Sequence, residues 1–215
     1  NLFSLTSGQI SSREDFVNSW LQEMPMGIPP SNLYPVLLQN IKELMNYGMN
    51  PEKVKTGLYR IVGQQLVYYW YGEADDDIII GTEMYRSPQA LTVNITAKNP
   101  AHKNHGPYAS DLYLDILHTG GTPLRLMSDE SLSDEGLKIW KRLLSQKCNI
   151  IVYDKNNPGQ SKRVITSEKD LLQHFKHGDP TFKRFQYVLT VSGNMLAETV
   201  GVFNTRRYRE LAGIL

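Results

Sequence analysis

Cysteine is almost missing from this sequence of 215 residues: Cys148 stands alone, so no disulfide can close within the chain. Small secreted domains usually carry cysteine pairs, so a reducing, cytoplasmic setting is expected. Net charge is almost missing too, with 23 Lys and Arg against 22 Asp and Glu, so no overall field draws nucleic acid or an anionic membrane. Ile78-Ile79-Ile80 and Asn149 to Tyr153 are the longest apolar runs. A membrane span needs about 20 residues, so no membrane role is expected. The sequence opens on Asn1 without a signal-peptide pattern. It contains no internal repeat, low-complexity tract, P-loop, dinucleotide fingerprint, nucleophile elbow or zinc-metalloprotease motif.

What is present suits a packed domain. Hydrophobic residues make up 40% and charged residues 21%, enough apolar surface for a sizeable core and too much for a disordered chain. Residues 1–57 read as a helical extension. Phe16, Val17, Trp20, Leu21 and Met24 make an apolar stripe behind Ser12. Pro25 to Pro30 breaks that helix. The spacing of Leu33, Val36, Leu37, Ile41, Leu44 and Met45 predicts a second helix from Ser31 to Tyr47, stopped by Gly48. Pro51 to Lys55 reads as a short helical turn.

From Leu58 the composition turns to Tyr, Val, Ile and Trp, which favour pleated surfaces. Strands are predicted at Leu58–Tyr71, Ile78–Tyr85, Ala90–Ala97, Pro123–Met127, Asn149–Asp154 and Phe185–Val191. Helices are predicted at Ser110–His118, Asp134–Ser145 and Ser167–Phe175, and a closing turn around Thr205 to Leu211. A strand meander feeding a β-α-β-α-β run implies a mixed, mostly antiparallel sheet with flanking helices. Three segments are expected: the extension 1–57, a core 58–154, and an addition 155–215 packed on the core.

The core carries a resemblance. Leu91-Thr92-Val93-Asn94-Ile95-Thr96 is followed by Asn104-His105-Gly106-Pro107-Tyr108-Ala109-Ser110-Asp111-Leu112-Tyr113, and then by Leu126-Met127-Ser128-Asp129 and the segment Ser131 to Leu143 with Ile139-Trp140. These pieces resemble the GNAT superfamily of N-acetyltransferases, above all its divergent phage-encoded members. The resemblance implies acyl transfer from acetyl-coenzyme A to an amine, carried by a small molecule or a protein. It puts the coenzyme pyrophosphate at His105, Gly106, Tyr108, Ala109 and Ser110, where a helix N-terminus can meet an anion. The thioester falls beside Asn94, Ile95 and Thr96. Pro107 removes one N–H from that turn, Ala109 stands one position late, and Ser133 and Trp140 occupy positions where many members carry Asn and an acidic Tyr. A catalytically inactive protein on the same fold, a virion component or host-directed effector acting through protein contacts, is the alternative that these departures favour.

Other clusters have plain readings. Glu73, Asp75, Asp76 and Asp77 suit a solvated hairpin loop, with a cation site or a basic partner as the sharper option. Glu83 on the next strand is the candidate base; otherwise it is an exposed strand carboxylate. His102 with His105, and His174 with His177, lack a third metal ligand at usable spacing and read as surface or packing residues. Lys183, Arg184, Arg206, Arg207 and Arg209 with Tyr187 and Tyr208 could contact nucleic acid, against the balanced overall charge. Tyr68 to Tyr71 read as strand residues and Cys148 as inert packing.

Overall fold

The computed structural model describes residues 32–73, 77–88, 90–119, 125–129, 132–157, 163–176 and 179–190. The helix expected after Ser12, Asp75, Asp76, His177, Pro123-Leu124, Ser131 and everything from Val191 onward, with the three C-terminal arginines, lie outside them.

Helix α1 spans Leu33–Asn46. Five strands follow as an antiparallel meander: β1 Glu52–Lys55, β2 Leu58–Val62, β3 Leu66–Gly72, β4 Ile78–Arg86 and β5 Ala90–Lys98. Helix α2 Ala109–Thr119 then crosses to β6 Arg125–Met127, which runs parallel to β5. Helix α3 Asp134–Ser145 leads to β7 Asn149–Asp154; β8 Arg163–Val164, the short α4 Glu168–Leu172 and β9 Phe185–Thr190 complete the described chain. The order across one nine-stranded sheet is β1-β2-β3-β4-β5-β6-β9-β7-β8. The fold is mixed α+β with a mostly antiparallel sheet, as the strand pattern predicts.

Three expectations are corrected. Pro51 to Lys55 is an edge strand, because its backbone pairs with β2 and Glu52 takes a two-pronged contact of 2.8 Å from Arg60. The run from Leu58 to Tyr71 is two strands, folded back where Gly63 N–H donates to the Leu66 carbonyl. The sheet itself runs past residues 57 and 154, since β1 pairs with β2 and β9 lies between β6 and β7. Ser167 to Phe175 shortens to α4, where Ser167 Oγ accepts from Asp170 N–H and Asp170 Oδ2 accepts from Thr166 N–H.

The two faces of the sheet bury different cores. Leu37 and Ile41 of α1 cover Ile61, Leu66, Tyr68, Trp70, Ile78, Ile95 and Ala97. On the other face α2 and α3 cover Val67, Ile80, Met84, Leu91 and Val93 with Leu112, Ile116 and Trp140. Gly81 lets α1 come close, since a Cβ there would lie 3.0 Å from Leu37 Cδ2 and 3.2 Å from Trp70 Cβ. Gly72 is required for a different reason: its φ is +142°, and a Cβ would fall 1.8 Å from the Asp77 carbonyl oxygen. Gly72→Ala is therefore expected to destabilise the protein by about 1–3 kcal/mol from backbone strain alone, read as a lower urea midpoint.

Candidate functional site

The site begins where β5 and β6 part. They pair only at Ala90 with Arg125, Leu91 with Leu126 and Thr92 with Met127. Beyond Thr92, β5 continues to Lys98 while β6 ends, so the C-terminal ends of two parallel strands leave a gap between them. The register of β4 on β5 shifts at the same place: Glu83 faces Ile95 and Met84 faces Val93, which makes Asn94 an extra residue in a bulge. A bulge interrupts the ladder and bends its strand, and bulges gather beside active sites.

A chain of hydroxyls braces this bend from the α2 face. Thr82 Oγ1 donates to the Ile95 carbonyl at 2.9 Å, Thr82 and Thr96 hydroxyls lie 2.9 Å apart, and Thr96 and Tyr113 hydroxyls 2.7 Å apart. Each hydroxyl has one proton, so the first bond sets the rest: Thr96 donates to Thr82, and Tyr113 donates to Thr96. Burial holds the Tyr113 phenol well above the ordinary tyrosine pKa. Its proton is committed inward.

On the α1 face the bulge turns Asn94 toward Glu83, with Asn94 Nδ2 donating to Glu83 Oε1 at 2.5 Å. Asn40 of α1 donates through Nδ2 to Glu83 Oε2 at 3.0 Å. Glu83 is 0% exposed. The reading of an exposed strand carboxylate is thereby overturned: β4 lies inside the sheet, and α1 covers the face on which Glu83 projects. The Tyr68 phenol adjoins Glu83 and Asn40, and burial, then the Glu83 charge, push its pKa far up. Tyr85, two residues on, is 40% exposed; burial raises its pKa, and the charges of Glu83 and Asp129 add to that.

The turn before α2 carries the candidate phosphate contacts. Lys98 Nζ donates to the carbonyls of His105 and, at 3.0 Å, Pro107, tying the end of β5 to this turn. The Tyr108 ring has Lys98 Nζ 4.6 Å and the Arg142 guanidinium 3.8 Å from its centre. Burial lowers the Lys98 pKa; Asp111 opposes this and Arg142 adds to it. Tyr108 caps α2, its carbonyl accepting from Asp111 and Leu112 N–H. Asp111 Oδ2 accepts from Tyr108 N–H at 2.9 Å, so a carboxylate already stands at this helix end. His105 and Gly106 are exposed, Tyr108 and Ala109 half-buried, and Ser110 buried. A Cβ on Gly106 would meet only the Tyr108 ring, at 3.8 Å, which leaves that side of the turn open to a ligand.

Asn94, Ile95, Thr96 and Glu83 thus gather at the bulge, while His105 to Ser110 form the turn that Lys98 ties to the same strand. Ser133 and Trp140 take structural roles instead. Ser133 caps α3 by accepting from Gly136 N–H at 3.0 Å, and Trp140 is 1% exposed with its ring 5.5 Å from that of Tyr187. His102 lies 3.8 Å from Asp77, and His174 packs edge-on to Phe185. No group of three metal-ligating side chains occurs among the described residues. Cys148 is partly buried, and burial raises its pKa, as inert packing requires. No described helix is long and apolar enough to cross a membrane.

Sequence reasoning missed Asn40, Lys98, Tyr113 and Arg142. A signal existed for Asn40: it is a polar residue inside the apolar stripe of α1, one turn after Val36. Lys98 and Arg142 carried none, since their meeting across Tyr108 joins β5 to α3.

No family model matches the chain, and no curated protein matches it. A solved structure of a Bacteroides thetaiotaomicron protein assigned to the GNAT family of acetyltransferases is similar to it at 17% identity and a TM-score of 0.36, over 71% of this chain and 73% of that one.

Proposed function

We propose that this protein is an N-acyltransferase that moves an acyl group from acyl-coenzyme A, with acetyl-coenzyme A the first choice, to an amine carried by a small molecule or a protein. The observation that carries the reading is the gap between β5 and β6, bent by the Asn94 bulge and ending at the Lys98-tied turn of α2. A thioester arm suits the first part of that path and a pyrophosphate the second. The donors fit an anion: the Lys98 ammonium, the Arg142 guanidinium and the first N–H groups of α2. Bound acyl-coenzyme A supplies an activated acyl carbon. At the bulge, Asn94 has no register partner on β4, and a backbone N–H there would stabilise the oxygen charge that grows during attack. Glu83 is the base. It would take the proton of the incoming ammonium; the nitrogen lone pair would then bond the acyl carbon, the carbon–sulfur electron pair would leave with sulfur, and the second proton that the nitrogen sheds as the amide forms would end on that sulfur. Tyr113 is not the acid for that last step, since its proton is committed to Thr96.

A second reading has its own observation. The Asp111 carboxylate at the α2 N-terminus repels a phosphate, and Trp140 is a core residue; both suit a scaffold that works through protein contacts without catalysis.

Calorimetric titration with acetyl-coenzyme A separates the two. Saturable binding is expected. Lys98→Glu should weaken it by about tenfold to a hundredfold, because a charged hydrogen-bonding group is removed and its sign reversed. Asp111→Asn should tighten it severalfold, as expected when about 0.3–1 kcal/mol of like charge leaves a helix N-terminus. No saturation up to about 1 mM, a generous limit for a working enzyme, would rule out the transferase and leave the scaffold.

A further inference from the structure

The face of the sheet that α1 covers has a second half. Directly paired residues share a face. Tyr85 pairs with Thr92, Thr92 with Met127, Met127 with Val188, Val188 with Ile151 and Ile151 with Val164, which draws one row across β4, β5, β6, β9, β7 and β8. The ends of the row are open: Tyr85 is 40% exposed and Val164 47%. Its middle is closed. Met127 and Val188 are 6% and 3% exposed, and they cluster with Ala90, Ile151 and Tyr153. Gln186 and Thr190, which alternation puts on the same side of β9 as Val188, are buried too. A sheet face loses its solvent only under a cover, yet no described helix contributes to this cluster. The uncovered strip is one helix wide. From β5 to β7 there are three strand spacings, about 14 Å, and a helix with its side chains is about 10–12 Å across.

We infer that the apolar stripe of Phe16, Val17, Trp20, Leu21 and Met24 docks on this strip, as a second helix beside α1. Three observations select this segment. Its apolar side chains stand at helical spacing, so they form one face that needs burial. It also joins the sheet on the correct side, because Pro25 to Ser31 leads directly into α1, which lies on this face against β4 and β5. Those seven residues reach about 23 Å when extended, which is several strand spacings. Its charge suits the rim as well: Glu14, Asp15 and Glu23 outnumber Arg13, and Arg125 stands on the same face of β6 as Met127. The segment after β9 is the rival occupant, but Val200, Val202 and Phe203 make no helical stripe, and Arg206, Arg207 and Arg209 make it basic. The docking goes beyond the transferase reading and does not depend on it. It bears on the same place, however. Thr92 and Met127 are the last pair before β5 and β6 part, so the docked segment walls the gap on the side away from α2.

The test uses the whole chain, unmodified. Nuclear Overhauser contacts are measured between aromatic protons and the methyl groups of Met127, Val188 and Ile151. Contacts from the Phe16 and Trp20 rings to Met127 and Val188 are expected. Contacts from Phe203 in their place overturn the inference, as do contacts seen only between differently labelled copies in a mixed sample, or none from residues 12–24. Peroxide oxidation followed by peptide mass spectrometry gives a second readout. Trp20→Ser should speed the oxidation of Met127 severalfold and leave Met84, 0% exposed on the opposite face, unchanged. An unchanged Met127 rate overturns the docking. If Met84 speeds up as well, the variant has lost its fold, and the contacts in the unmodified chain decide.

Discussion

Trp140→Ala is expected to lower the stability of the protein by about 3–5 kcal/mol, the usual cost of emptying a buried aromatic site. Trp140 is 1% exposed at the contact of α3 with β9, against the Tyr187 ring, whose hydroxyl donates to the Leu171 carbonyl at 2.7 Å. The change leaves a cavity where α3, α4 and the sheet meet, and domains of this kind hold only about 5–15 kcal/mol in all. The urea midpoint should fall steeply with little change in slope. Trp140→Tyr sharpens the point. If position 140 served as an acid, the phenol would raise any transfer rate; a core position predicts lower stability and no gain in rate. A gain in acetyl transfer with Trp140→Tyr would refute the core assignment.

Stability should fall as pH rises past about 10, with Tyr68, Tyr113 and Tyr187 together contributing about 4 kcal/mol per pH unit, at about 1.4 kcal/mol each. Burial raises the pKa of Tyr68, Tyr113 and Tyr187 well above the ordinary value. The sign follows from protons held. Below the unfolded pKa both states are protonated and the full stability is present. Above it the unfolded chain releases protons that the native state keeps, so rising pH favours unfolding until the folded pKa values are passed. Lys98, lowered by burial, sheds its proton early in the native state and offsets a part of this. Urea midpoints against pH measure the slope, and tyrosinate absorbance dates the ionisation. Tyr113→Phe and Tyr68→Phe should each remove one proton from it; a slope unchanged in both would refute the assignment.

Where the chain carried its own periodicity, the elements were legible. Asp134–Ser145 and Asn149–Asp154 stand where the sequence predicts them, because an amphipathic repeat capped by Ser133 and a short β-branched run state their own conformations. Glu52–Lys55 carries no alternation, and it is a strand only because β2 pairs with it. The break at Gly63 was hidden because apolar residues run on both sides of it, and β3 is buried along most of its length.

The candidate site divides along the same line. The turn from His105 to Ser110 is local, and its glycine, proline and helix opening can be read in order. The burial of Glu83 cannot, since a carboxylate on a strand is exposed or buried according to what covers that face, and here the cover is α1, 43 residues away in sequence. The sequence by itself determined the fold class, the strand that leads to the α2 turn and the lack of a disulfide within these residues, all consequences of composition and short-range pattern. Only the tertiary structure decided that Asn40 meets Glu83, that Asp111 caps the helix at which a phosphate was expected, and that Trp140 belongs to the core. Those facts depend on which faces meet, and no local propensity encodes a meeting between elements far apart in the chain.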